Sequence, residues 1–264
     1  MQYDADQSQA WIKTIEFALP KLLEKASQIN GRALILGASV LQIYQEQKWI
    51  TRARATGDLD LSIGLVSASQ EYNDLRQSLL NIGYKASDSE RYFRLYSPNK
   101  VAIGVSYLDL LAHPEGDVPE DETRSIMGVG DGWGFGEILF ALEQAYEISR
   151  NVYIPNPLGF LALKRASYID DPRRVRDLVD IVELVFELTN KALHYELRTT
   201  WKKMSLANPM EASRMKSMIS GIANEEVEWD FSRAEQELQM RGYDFDTLEI
   251  DAPRVFDDFL GELD

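Results

Sequence analysis

Asp58 and Asp60 have the spacing of a shared ligand site. They begin a run, Asp58 to Leu65, in which leucine or isoleucine occupies every second position. Because side chains alternate between the two faces of a strand, both carboxylates are expected on one face of this predicted strand. Two carboxylates side by side repel each other, and one holds its proton unless a cation neutralises them. The pair therefore predicts a divalent metal site at the edge of a hydrophobic sheet.

A predicted strand, turn and helix precede this pair. The residues Ala33 to Leu36 predict a short buried strand, and Gly37-Ala38-Ser39 predicts a tight turn. The apolar spacing that follows predicts a helix. Since the N–H groups at the start of a helix favour phosphate, and Ser39 offers a hydroxyl donor, the turn is a predicted phosphate-binding element.

A third acid, Asp109, lies within the otherwise apolar run from Val101 to Leu111, which predicts a longer strand. Burying an unpaired charge is expensive. Two interpretations are therefore possible: a functional carboxylate, or an acid at a fraying strand end.

The pattern of the whole chain predicts an α+β fold. A helix near residues 5–29 precedes a strand–helix–strand core that a hairpin near residues 91–111 extends, and residues 112–136, with alternating glycines, predict a loop. Pro155 and Pro157 mark a boundary, after which apolar spacing predicts helices near 157–169, 173–188, 190–204, 209–223 and 229–241. We therefore expect one domain at 1–154, and a helical C-terminal domain with an acidic tail at 155–264.

A family resemblance emerges when these segments are joined. Gly-x-Ser, followed within about twenty residues by Arg-x-Thr-x-Asp-x-Asp, resembles the polymerase β-like nucleotidyltransferase superfamily, in particular its minimal, AbiEii-type branch. A Lys on one predicted helix and Arg-Asp-x-x-Asp on the next resemble the same family's second signature. The matching residues are Gly37, Ser39, Arg54, Thr56, Asp58, Asp60, Lys164, Arg176, Asp177 and Asp180.

The resemblance implies a small mixed β-sheet nucleotidyltransferase core with flanking helices, and Mg²⁺-dependent transfer of a nucleoside monophosphate from an NTP. Two Mg²⁺ ions stabilise the attacking and leaving oxygens in such enzymes. The implied metal ligands and catalytic residues are Asp58, Asp60 and Asp109. The implied nucleotide-binding residues are Gly37, Ser39, Arg54, Lys164 and Asp177, the last of which would orient Lys164 or the nucleotide.

Three functions follow from this resemblance. The first is transfer to an acceptor hydroxyl of RNA or protein, in a toxin–antitoxin or defence context. The second keeps the chemistry and takes a cationic small molecule, such as an aminoglycoside, as the acceptor. The third is a catalytically silent relative that binds a protein partner through its acidic C-terminus, since relatives usually carry Gly or Ser where this chain has Ala38.

Charge and cysteine content narrow the function classes. The net charge is −15, and residues 225–264 alone carry 14 acidic and 3 basic side chains. This balance disfavours a polyanionic substrate and favours a cationic one. Cysteine is absent, which excludes disulfides, thiol chemistry and Cys-ligated zinc. No apolar run reaches the eighteen residues of a membrane span, so we expect a cytoplasmic protein without a membrane partner.

Overall fold

A computed structural model gives the fold of this chain. The described residues are 31–51, 53, 56, 58–66, 70–87, 92–96, 107–131, 134–143, 145–171, 173–188 and 231–243, with residue 261 and short runs between 198 and 216. The predicted helix near residues 5–29, residue Arg54 and nearly all of the acidic tail after Tyr243 lie outside them. By its internal contacts the chain divides into two compact units, residues 1–43 with 54–156 and residues 44–53 with 157–264.

The first unit is built on a mixed β-sheet. In the described residues the sheet has seven strands in the order β3-β4-β5-β2-β1-β7-β6. The strands are β1 (Ala33–Leu36), β2 (Asp58–Leu65), β3 (Lys85–Ala86), β4 (Arg94–Tyr96), β5 (Tyr107–Pro114), β6 (Tyr146–Ser149) and β7 (Val152–Ile154). The helices are α1 (Ser39–Glu46), which begins in this unit, α2 (Gln70–Asn81), α3 (Glu120–Met127) and α4 (Gly136–Glu143).

The central strands owe their places to their apolar residues. β1, which neighbours the central strand β2, is buried along its whole length, and β2 buries Leu59 and every residue from Leu61 to Leu65. β2 pairs antiparallel with β1 and parallel with β5. On the α2 side, the Tyr72 hydroxyl donates a 2.6 Å hydrogen bond to the Leu110 carbonyl of β5. The sheet is therefore anchored on one apolar face, while alternate residues of β2 and β5 point to the other.

The structure corrects the predicted loop at residues 112–136. β5 continues to Pro114, and α3 occupies Glu120–Met127. Pro119 precedes the helix, three acids fill its first turn and Gly128 ends it in the left-handed conformation with φ 66°. Thr123 and Met127, one turn apart, are buried. The glycines after residue 127 obscured this short helix because they suggest a loop.

The second unit is helical in its described residues. Its long elements are α5 (Pro157–Asp170), α6 (Val175–Leu188) and α7 (Phe231–Met240), close to three of the predicted helices. α6 packs against both α5 and α7. Tyr44, in the segment 44–53, is fully buried beside Phe160 of α5, with ring centroids 6.1 Å apart. Strands and helices together make the chain a mixed α/β protein, compatible with the α+β expectation.

No helix in the described part of the chain combines the length and apolarity needed to cross a bilayer.

The sheet contains a buried histidine. His113 of β5 is fully buried, and its Nδ1 lies 2.8 Å from the Ser62 hydroxyl of β2. Burial lowers the pKa of His113 to about 4, with Glu115 opposing the shift and Arg32 adding to it. The folded unit therefore holds this imidazole in its neutral form at neutral pH.

We predict that the free energy of unfolding falls as the pH drops from 6.5 towards 4, because the unfolded chain binds the His113 proton near pH 6.5 and the folded chain only near pH 4. The full contribution is present above pH 6.5, and its loss amounts to about 3 kcal/mol at most. Urea unfolding over a series of pH values measures it. His113→Asn should flatten this part of the pH curve, and an unchanged slope in the variant would contradict the assignment.

Candidate active site

The pairing of β5 with β2 and with β4 brings several candidate site residues together. In the parallel pair β2–β5, Asp58 lies opposite Tyr107 and Asp60 lies opposite Asp109. Paired residues of neighbouring strands share a sheet face, so the two aspartates of β2, Tyr107 and Asp109 all project from the same side. In the antiparallel pair β4–β5, Arg94 is opposite Asp109. Three carboxylates, a tyrosine and an arginine thus occupy one polar face, which we call the carboxylate face.

The glycine turn after β1 lies against this face. Gly37 has φ +70°, and a Cβ built on it would lie 2.2 Å from the Asp60 Oδ2. Leu36 pairs with Asp60 in the β1–β2 register, which brings the turn and the carboxylate together. Only a residue without a side chain fits this conformation and this close approach. The turn before α1 and the Asp60 carboxylate therefore lie against each other.

Arg94 binds the third carboxylate. Its Nε donates to Oδ1 of Asp109 at 2.7 Å and its Nη2 donates to Oδ2 at 2.6 Å, a bidentate ion pair. Its guanidinium carbon lies 3.8 Å from the centroid of the Tyr107 ring. The hydrogen bond to Asp109 raises the pKa of Arg94 above its already high value. Burial and a hydrogen bond to Asp58 raise the pKa of Tyr107, so this hydroxyl stays protonated.

The donor set fits a metal ion only in part. Asp58 and Asp60 supply hard carboxylate oxygens on one face, the ligand type that Mg²⁺ prefers. They are partly exposed, whereas Asp109 is 7% exposed and has both oxygens bonded to Arg94. Within the described residues, no group of three or more acidic or histidine side chains is arranged to hold a metal ion. The first two carboxylates fit the implied metal, and the third is engaged elsewhere.

The remaining residues of the first motif are placed as follows. Ser39 is 1% exposed, and its hydroxyl donates a 2.7 Å hydrogen bond to the Leu36 carbonyl. It thereby braces the strand-to-helix turn instead of pointing to solvent. The backbone N–H of Asp58 donates to the Thr56 hydroxyl oxygen at 3.3 Å, which fixes the entry into β2. Arg54 is not among the described residues, and its proposed contact with phosphate stays a prediction.

Lys164 and Asp177, from the second motif, contact each other in the helical unit. The Lys164 Nζ lies 2.6 Å from Asp177 Oδ1 and 2.7 Å from Asp180 Oδ2, and all three residues are buried. Arg174 also donates to Asp177, at 2.7 Å. Asp177 therefore contacts Lys164, which is one of the two roles that the resemblance implies for it, and Asp180 binds the same lysine. Their role towards a nucleotide stays a prediction.

Two further buried acids of α6 were not anticipated from the sequence. Glu183 accepts hydrogen bonds from Arg241 at 2.8 Å and from the Tyr243 hydroxyl at 3.1 Å. Burial raises the pKa of Glu183 to about 7, and Arg241 opposes the shift. Glu187 accepts a 2.6 Å hydrogen bond from the Thr51 backbone N–H. With Asp177 and Asp180, these acids recur every three or four residues on a largely apolar helix, a spacing that could have revealed the face they share.

No protein family, curated protein or solved structure matches the chain. Its function must therefore be argued from the residues and geometry of the chain itself.

We predict that Gly37→Ala destabilises the fold and displaces Asp60. The left-handed backbone alone costs an alanine about 1–2 kcal/mol, and the new Cβ also meets the Asp60 carboxylate. Gly128→Ala is the matched control, because it has a similar φ of +66° and only an ordinary 3.4 Å contact. Chemical unfolding should show the larger loss for Gly37→Ala, and a smaller loss when Asp60→Ala is also present. Equal losses at both glycines would show that Asp60 does not approach the turn.

Replacing the buried lysine tests whether its charge supports the helical unit. Lys164→Met leaves two buried carboxylates without their shared cation and should lower the free energy of unfolding by about 3–5 kcal/mol. Arg173→Ala breaks the exposed ion pair with Asp171 and should leave thermal stability unchanged, because exposed pairs contribute little. Similar melting temperatures for the two variants would refute a structural role for the Lys164 charge.

Proposed function

We propose that the chain is a Mg²⁺-dependent nucleotidyltransferase whose reaction takes place at the carboxylate face. One observation carries the proposal: the Asp60 carboxylate lies against a glycine turn that opens a helix, with Asp58 on the same face of β2. The helix start attracts phosphate, whereas the carboxylates repel it. A divalent cation between them reconciles the two, and that arrangement suits a nucleoside triphosphate better than a bare anion.

In the proposed reaction, an oxygen of the acceptor hydroxyl forms a bond to the α-phosphorus of the NTP. The bond between the α-phosphorus and the oxygen that bridges it to the β-phosphate breaks, pyrophosphate leaves with that oxygen, and the hydroxyl proton passes to water. Bound Mg²⁺ would supply charge stabilisation for the attacking and leaving oxygens. Asp58 and Asp60 would hold it and fix its place relative to the turn, while the sheet keeps both carboxylates rigid. The Tyr107 hydroxyl, hydrogen-bonded to Asp58, orients that carboxylate.

The catalytically silent alternative has one observation in its favour. Arg94 neutralises Asp109 through a bidentate ion pair. In a protein that had lost its metal chemistry, an arginine in place of the metal ion would stabilise the fold, because it neutralises the Asp109 carboxylate, which is 7% exposed. In this alternative, the unaltered protein would bind Mg²⁺ and nucleotides no more tightly than a variant that lacks the Asp58 and Asp60 carboxylates.

We expect Asp58→Asn and Asp60→Asn each to abolish nucleotidyl transfer without lowering the melting temperature, because loss of a charge relieves carboxylate repulsion. Each α-³²P-labelled NTP is incubated with protein and Mg²⁺ in the presence of tRNA, cell lysate or an aminoglycoside. The labelled material identifies the acceptor class. Asp121→Asn, which removes an exposed acid of α3, should retain full transfer. Full activity in either β2 variant would refute the proposed site.

A further inference from the structure

Two neighbours, Asp109 and Tyr107, hold Arg94 at the carboxylate face. Two of its nitrogens bond both oxygens of Asp109, and its guanidinium stacks on the Tyr107 ring at 3.8 Å. Tyr107 is in turn hydrogen-bonded to Asp58. The Arg94 side chain is 17% exposed and that of Asp109 is 10% exposed. A planar guanidinium held by a carboxylate fork and an aromatic face has little freedom to leave.

The ion pair with Arg94 neutralises the Asp109 charge on the carboxylate face. A two-metal site needs carboxylate oxygens free for the second ion. Here, the carboxylate that strand register places opposite Asp60 already has a cation on both oxygens. A metal ion at the same place would have to displace Arg94 or lie next to its positive charge. Displacement would break the bidentate ion pair with Asp109. A metal ion next to Arg94 would be repelled strongly, because like charges lie within a few ångströms in a partly buried site.

We infer that Arg94 is a resident cation that takes the place of the second metal ion, so that the site binds one divalent cation, at Asp58 and Asp60, instead of two. The inference rests on the proposed function, because it concerns the charge complement of the same reaction site. It assigns Arg94 to the transferase as a fixed positive charge beside the reacting phosphate, and it makes Asp109 a positioning residue that holds this charge instead of a metal ligand.

A guanidinium differs from a metal ion in what it can supply. It stabilises negative charge that develops on phosphate oxygens, and its N–H groups donate along fixed directions. It neither binds an acceptor hydroxyl as a ligand nor lowers the pKa of that hydroxyl as a metal would. The proton of the acceptor must therefore leave through another group or through water.

The number of bound ions tests the inference directly. Mn²⁺ alone is titrated into the protein while electron paramagnetic resonance measures free Mn²⁺, and the Asp58→Asn/Asp60→Asn double variant defines the background from other surface acids. We expect one Mn²⁺ per chain above background for the unaltered protein. Arg94→Met should bind two, because Asp109 is released, and Arg94→Met/Asp109→Asn should return to one.

Matched variants separate this effect from a change in net charge. Arg76 also stacks on a tyrosine, with its guanidinium carbon 3.9 Å from the centroid of Tyr92, and donates to the Tyr92 carbonyl. Arg76→Met therefore removes the same charge and a comparable stacking contact and should leave the Mn²⁺ count at one. If Arg94→Met does not fold, Arg94→Gln keeps an amide donor for Asp109 and should show the same gain.

Two results would overturn the inference while leaving the transferase proposal intact: two Mn²⁺ ions on the unaltered protein, or no additional ion on the folded Arg94 variants. A count of zero on the unaltered protein would remove the metal from Asp58 and Asp60 and would refute the transferase proposal together with the inference.

Discussion

The parallel register of β2 and β5 is the constraint on which the candidate site depends. It places Asp60 directly opposite Asp109 and Asp58 opposite Tyr107, and a shift by one residue would send these side chains to the apolar face. The register is held by the leucines of the same strands, which are buried on the other side. Hydrophobic packing on one face therefore forces acidic groups together on the other. The repulsion must then be offset by a cation, whether an arginine, a metal ion or both.

Both units neutralise closely spaced acidic side chains with a lysine or an arginine. In the helical unit, Lys164 bridges two aspartates of α6, and Arg241 bonds to Glu183 of the same helix. In the sheet unit, Arg94 binds Asp109 with both oxygens engaged. Removal of the cation from any of these pairs would leave a buried charge, which costs far more than the pair contributes. Each of these ion pairs joins two packed elements of its own unit.

The sequence predicted the elements with strong periodicity and missed the contacts set by tertiary pairing. The limits of β1 and β2 match the prediction, because a buried run and a strictly alternating run are local signals. α3 was missed because its acid-rich first turn and following glycines suggest a loop. The contact between Asp60 and the Gly37 turn follows from the β1–β2 register. The Arg94–Asp109 pair was not predicted, since it depends on the β4–β5 register, which no local pattern reveals.

Exposure distinguishes the buried acids of α6 from the two partly exposed acids of β2. Asp177, Asp180 and Glu183 of α6 are each at most 3% exposed and are bonded to groups of their own unit, so exchanging those partners for a ligand would open the helical core. Asp58 and Asp60 are partly exposed beside a backbone turn that only glycine fits comfortably. Two like charges side by side at one place repel each other, a cost that hydrophobic packing does not require. A cation that binds at the carboxylate face would offset this repulsion without disturbing the packed core.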